Sequence, residues 1–116
     1  MNKREVGSKH EDMACKYLEE KGYKIVARNF RSYNGEIDII ALEEDVLVFV
    51  EVKYRANKTY GYAVEAVGAK KRQVIYRVAE NFLSLHKQFI ENSCRFDVIG
   101  FDNDKITHIK NAFGGM

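Results

Sequence analysis

Apolar residues recur along the chain with two different spacings, and each change of spacing marks an element. Ala14, Tyr17 and Leu18 share one helical face, and Gly22 stands where a helix would stop. Ser8 followed three residues later by Glu11 has the spacing of a capping box, so a helix is predicted over 8–21. Ile25 and Val26 then lie between polar residues in a first strand, 23–30, which ends in the turn-rich Arg31-Ser32-Tyr33-Asn34-Gly35. Two apolar runs, Ile37 to Leu42 and Val46 to Val52, flank Glu43-Glu44-Asp45, read as a solvated turn, and form a hairpin. Both are apolar at nearly every position, the mark of strands covered on both faces in a layered α/β domain with helices on each side. Val74, Ile75, Val78, Ala79, Phe82 and Leu83 return to helical spacing, predicting a helix over 69–86 entered near Gly68. Strands over 94–101 and 106–109 follow, separated by Asp102-Asn103-Asp104-Lys105. The predicted order is helix, three-strand meander, helix, two strands.

Composition narrows the classes. At 116 residues the chain has the size of one domain, read as spanning 1–116, and it contains no proline, no repeat and no linker-like stretch. The longest aliphatic and aromatic run, Val46 to Val50, is far short of the ~20 residues that cross a bilayer. The N-terminus has basic residues but no apolar stretch behind them, so the expected location is the cytoplasm and no membrane partner is expected. Cys15 and Cys94 have no metal-binding spacing and read as small core residues. The histidines His10, His86 and His108 show no metal motif, and neither a nucleophile elbow nor a phosphate-binding glycine loop occurs.

Four charged groups interrupt the buried strands: Glu36, Asp38, Glu51 and Lys53. An unpaired charge in an apolar layer costs several kcal/mol, so these groups must meet one another, a metal or water. If the hairpin turns about the midpoint of Glu44 and Asp45, paired positions sum to 89. Asp38 then faces Glu51 and Glu36 faces Lys53, all on the side of the sheet continued by Ile40 with Phe49 and Leu42 with Leu47. Two carboxylates on adjacent strands, with a lysine two residues beyond the second, suit metal-assisted phosphodiester hydrolysis. Asp38 and Glu51 would hold Mg²⁺ or Mn²⁺ with the carbonyl of Val52, and Lys53 would lie on the water side. The same spacing also fits a structural ion-pair cluster.

The pieces Gly35-Glu36-Ile37-Asp38, Phe49-Val50-Glu51-Val52-Lys53, Arg55, Lys71, Arg95-Phe96-Asp97 and His108 to Phe113, with Glu11, resemble the bacterial YraN-like family over nearly the whole chain. That family is similar to archaeal Holliday-junction resolvases and sits in the restriction-endonuclease-like PD-(D/E)XK superfamily. The resemblance implies a three-layer α/β/α fold with a mixed, roughly five-stranded sheet. It makes Asp38 and Glu51 metal ligands, Lys53 the catalytic lysine, and Glu11 a helix-borne carboxylate near the metal. Ile37 replaces the proline of the superfamily name, and His10 stands where the family often has glycine.

Charge is polarised along the chain. Lys53 to Arg77 holds seven positive residues against the single Glu65, a local net of +6 in a chain of net +2, which leaves −4 elsewhere. Lys70, Gln73 and Arg77 fall on one helical stripe, and Lys70 to Arg72 occupy a first helical turn where backbone donors also favour phosphate. Tyr54, Tyr60 and Tyr62 alternate with Arg55 and Lys58 in a loop suited to stacking on a nucleic-acid strand. The resulting expectation is a Mg²⁺- or Mn²⁺-dependent endonuclease acting on DNA, branched, damaged or single-stranded, with a homodimer plausible for symmetric cutting. The alternatives are a catalytically silent DNA-binding module of the same fold, or a protein-interaction domain whose charges are structural.

Overall fold

The computed structural model describes residues 3–55, 68–103 and 105–113, with side chains from residue 8 onward except that of Arg55. Helix α1 (Lys3–Glu20) is followed by strands β1 (Lys24–Ser32), β2 (Gly35–Glu43) and β3 (Val46–Arg55), helix α2 (Ala69–Leu85), a 3₁₀ turn at Lys87–Phe89, and strands β4 (Ser93–Asp102) and β5 (Lys105–Ile109). The five strands lie in the sheet in chain order. All neighbours are antiparallel except β3 and β4, whose parallel pairing follows from the crossover that contains α2. The predicted layered α/β fold and mixed sheet are therefore the ones observed.

Helix α1 begins five residues before Ser8, so Ser8 and Glu11 lie inside the helix and do not cap it. A capping box is a local preference of about 1 kcal/mol, and the helix runs on through 3–7 even though Gly7 costs about 1 kcal/mol in a helix interior. At the other end the predicted stop at Gly22 has a specific form. Gly22 takes φ +93, its N–H donates to Glu19 O at 3.0 Å, and Tyr23 N–H donates to Leu18 O at 2.9 Å. This is a Schellman ending, and the residues that close it, Leu18 and Tyr23, are both buried.

The two helices cover opposite faces of the sheet, which explains the unbroken apolar runs. Ala14, Cys15 and Leu18 of α1 pack with Ile39, Ala41, Val48, Val50, Ile99 and Phe101. Ile75, Val78, Ala79, Phe82 and Leu83 of α2 pack with Ile37, Ile40, Leu47, Phe49 and Phe96 on the other side. Each such side chain contributes roughly 1.5–3 kcal/mol on burial. Aromatic rings knit the α2 layer: Phe82 meets Phe30 edge-on at 5.1 Å, and Phe49 stacks on Phe96 at 5.3 Å. Among the described residues no helix is long and apolar enough to cross a membrane.

Candidate metal centre

The hairpin register is the one read from the turn: Glu43 faces Val46, Leu42 faces Leu47, Ile40 faces Phe49 and Ile39 faces Val50. Pairing then stops. Beyond Ile39, β2 continues alongside β1 as far as Gly35, whereas beyond Val50, β3 continues alongside β4 as far as Arg55. The sheet opens between them with Asp38 at the apex. In place of a main-chain partner, Val52 N–H donates to Asp38 Oδ2 at 2.8 Å.

The strict alternation of faces also fails here, which corrects the expectation that all four charges share one side. Ile37 packs beneath α2, while Ile39 packs beneath α1. On β1 the same reversal occurs around Asn29, which takes the left-handed φ of +51: Arg28 turns to Asp12 and Glu11 of α1, and Phe30 packs in the α2 layer. The β1–β2 register places Asn29 across from Asp38, so both strands turn over at one level. Glu36 accordingly does not meet Lys53. Its main-chain neighbour and ion-pair partner is Arg31, at 3.5 Å.

Two groups of side chains converge on Asp38. Carboxylate oxygens of Glu11, Glu36 and Asp38 lie within 4.8 Å of one another, which brings the helix-borne Glu11 to the strand carboxylates. From β3, Glu51 is buried and shares a hydrogen bond with the Asp38 carboxyl. Glu51 Oε1 is in turn 3.7 Å from Lys53 Nζ and 3.8 Å from Lys71 Nζ. Lys71, read from the sequence as a nucleic-acid contact, thus reaches the centre from the first turn of α2.

Electrostatics follow from this crowding. Burial, and then the neighbouring Glu51 carboxylate, push the Asp38 pKa up to about 7, against the opposing effect of the Val52 N–H. Burial raises Glu51 as well, while Lys71 and Lys53 pull it down. Glu11 is raised by burial and by Asp38, with Asn29 opposing through a hydrogen bond. For Asp38 and Glu51 both shifts are upward because two adjacent, largely buried carboxylates cannot both ionise cheaply. Hard oxygen donors converging at one level of the fold suit a Mg²⁺- or Mn²⁺-sized dication. The oxygens that converge closely enough to hold it together are those of Glu11, Glu36 and Asp38, and Glu51, expected as a ligand, adjoins this group through Asp38. Val52, expected to offer its carbonyl, is engaged here through its N–H.

The other expected contacts stand apart. Lys70, Gln73 and Arg77 are exposed on α2. Tyr54 belongs to β3 instead of a loop, and its ring lies 4.0 Å from that of the buried His10. The Arg55 side chain, Lys58, Tyr60 and Tyr62 lie outside the described residues.

Sequence reasoning missed a second charged cluster. Asp97 is fully buried and accepts from Arg95 Nε at 2.8 Å, Arg95 Nη2 at 3.0 Å, His108 Nε2 at 2.7 Å and Asn111 N–H at 3.0 Å. Arg95 also donates to Glu43 Oε1 at 2.8 Å and to Tyr23 Oη at 2.9 Å, so Glu43 is no part of a solvated turn. With its proton on Nε2, His108 accepts from Tyr17 Oη at 3.3 Å. Burial alone would raise the Asp97 pKa, yet His108, Arg95 and the Asn111 N–H together hold it below the ordinary value. Every oxygen of Asp97 is engaged, which makes this a closed tie between β4, β5 and the α1 side. The signal for it was the one used for Asp38: charges two apart, Arg95 and Asp97, inside an apolar strand.

Comparison with known proteins agrees with the extent of this architecture. Residues 10–101 match the model of a family described as "Uncharacterised protein family UPF0102". A UPF0102 protein of Lachnoclostridium phytofermentans is 45% identical over 113 residues, covering 97% of this chain and 96% of its own length. One from Francisella tularensis is 43% identical over 111 residues, covering 95% of both chains. Another, from Persephonella marina, is 44% identical over 107 residues, covering 92% of this chain and 91% of its own. With the family model spanning more than half of the chain and such relatives matched nearly end to end, the chain belongs to the UPF0102 family.

Proposed function

We propose that this protein is a Mg²⁺- or Mn²⁺-dependent endonuclease that hydrolyses DNA phosphodiester bonds, acting on branched, damaged or single-stranded DNA in recombination or repair. The observation that carries the reading is the opened sheet. It gathers the carboxylates of Asp38, Glu51, Glu11 and Glu36, and the ammonium groups of Lys53 and Lys71, around one half-buried level of the fold.

A bound dication would supply positive charge that activates water and neutralises a phosphate oxygen. The chain's own groups have separable tasks. Asp38 is oriented by the Val52 N–H, and Glu51 is oriented by the two lysines. Lys53 Nζ, with its side chain 29% exposed, can donate to the attacking water or to a phosphoryl oxygen where negative charge develops. Lys71, 44% exposed, faces incoming phosphate from the start of α2, and Lys70, Gln73 and Arg77 extend that positive surface along the helix. Symmetric cutting of a branch would require two copies of the chain.

The test is incubation of the purified protein with branched, flapped, single-stranded and duplex DNA in Mg²⁺ or Mn²⁺. Cleavage of at least one substrate, abolished by Asp38→Asn, is expected. Absence of both cleavage and metal binding refutes the proposal. Metal-dependent binding of structured DNA without cleavage would replace it with a silent binding module of the same fold.

A further inference from the structure

One aromatic side chain near the centre has no role in the reading above. Tyr33, in the turn between β1 and β2, is fully exposed. A single exposed tyrosine is ordinary on a protein surface, so its meaning rests on how the turn holds it and on what surrounds it. The turn that carries it is anchored on both sides. Ser32 Oγ accepts from Asn81 Nδ2 of α2 at 3.1 Å, and Gly35 approaches α2 so closely that an added Cβ would lie 2.7 Å from Val74 Cγ1. The tip is therefore braced against α2 with its tyrosine pointing out.

The surroundings of Tyr33 complement nucleic acid. Arg31, with its side chain 74% exposed, stands two residues before it, and Arg77 neighbours the Val74–Asn81 row on which the turn rests. Arg31, Ser32, Tyr33, Asn34, Gly35 and Glu36 line an open hollow of about 350 Å³. Glu36 belongs both to this hollow and to the carboxylate group of the metal centre. The turn is thus continuous with the candidate centre.

We infer that the β1–β2 turn is a base-reading tip: Tyr33 stacks on an unpaired nucleobase while Arg31 holds the adjoining phosphate, so that strands with unstacked bases are selected over intact duplex. This inference rests on the nucleic-acid reading of the centre. A stack needs an exposed π-face, which a continuous duplex does not offer and a flap, gap or branch does.

The test compares wild type, Tyr33→Ala and Tyr33→Phe by fluorescence anisotropy on a flapped DNA and on an intact duplex, with Ca²⁺ present. The flap carries 2-aminopurine, whose emission is quenched by stacking. Tyr33→Ala should weaken flap binding about tenfold, leave duplex affinity within about twofold, and abolish the quenching. Tyr33→Phe should retain both the affinity and the quenching. A Tyr33→Ala variant that binds the flap like wild type, or that loses flap and duplex binding equally, overturns the stacking role alone. Failure of the wild type to bind either DNA overturns the nucleic-acid reading and this inference with it.

Discussion

Asp38 is held by one backbone N–H and pressed by a neighbouring carboxylate, and its protonation sets two measurable quantities. Its folded pKa of about 7 lies above its ordinary 3.8. Between those values the folded chain retains a proton that the unfolded chain releases, so stability of the metal-free protein falls as pH rises through that window and flattens above it. Asp38→Asn carries no charge at any pH. It should exceed wild type in urea-unfolding stability by roughly 2–4 kcal/mol at pH 8, with the difference vanishing near pH 4. The same variant should lose Mn²⁺ binding in calorimetry, and wild-type affinity should fall about tenfold per pH unit below 7 as protons compete for the ligand oxygens. An equal stability difference at both pH values would show that the Asp38 charge is not the cause. The two lysines on Glu51 are separable in the same way. Lys53→Met should lower the single-turnover cleavage rate by about 10²-fold or more at saturating protein, with DNA affinity nearly unchanged. Lys71→Met, on the more exposed side, should weaken DNA binding and cost less in rate. Full-rate cleavage by Lys53→Met would remove that lysine from the chemistry.

At the scale of elements, the contact between the β1–β2 turn and α2 fixes where β2 enters the open part of the sheet. Gly35 has φ +155, a conformation that L side chains rarely adopt, and a Cβ there would press on Val74. Gly35→Ala should therefore destabilise by about 2–4 kcal/mol, combining backbone strain with overpacking. Pairing it with Val74→Ala should recover only the steric part, giving a coupling of about 1 kcal/mol or more in a double-mutant cycle by urea denaturation. Strict additivity would show that the backbone conformation accounts for the whole cost. The tie through Asp97 acts on pH in the opposite sense to Asp38. With a lowered folded pKa, its contribution is complete above the ordinary carboxylate value of ~3.9 and is lost as the pH falls below it. Taken together, these two groups should make the metal-free protein most stable at about pH 4, where the native Asp97 is ionised and the unfolded chain has only begun to release the Asp38 proton.

For the whole molecule, the relevant quantity is how positive charge is spread beyond the centre. Lys70 and Arg77 are exposed on α2, and neither is ion-paired among the described residues. Changing both to Ala should weaken DNA binding and shallow the log-log salt dependence by up to about two units, through lost counterion release at two phosphates. Cleavage by the fully bound double variant should fall less than in Lys53→Met. An unchanged salt slope in anisotropy titrations would take this stripe out of the binding surface.

What the sequence determined by itself was everything that depends on local period and turn symmetry. Unbroken apolar runs implied strands buried on both faces, and the symmetry of Glu44-Asp45 set the register that makes Asp38 and Glu51 neighbours. Only tertiary structure decided where that register ends. The left-handed Asn29 and the withdrawal of β2 toward β1 open the sheet at Asp38, and no alternation pattern encodes a place where two strands part. Lys71 joins Glu51 because α2 docks with its first turn over the opening, and Glu11 reaches Asp38 because α1 packs across the other face. Ser8 and Glu11 do not cap the helix because it continues through 3–7, past Gly7. The closed network on Asp97 draws on residues from α1, β2, β4, β5 and the chain after β5, separated by up to 91 positions. Such convergence is set by how layers stack, and a linear pattern of apolar and polar residues carries period and turn but not the docking of one layer on another.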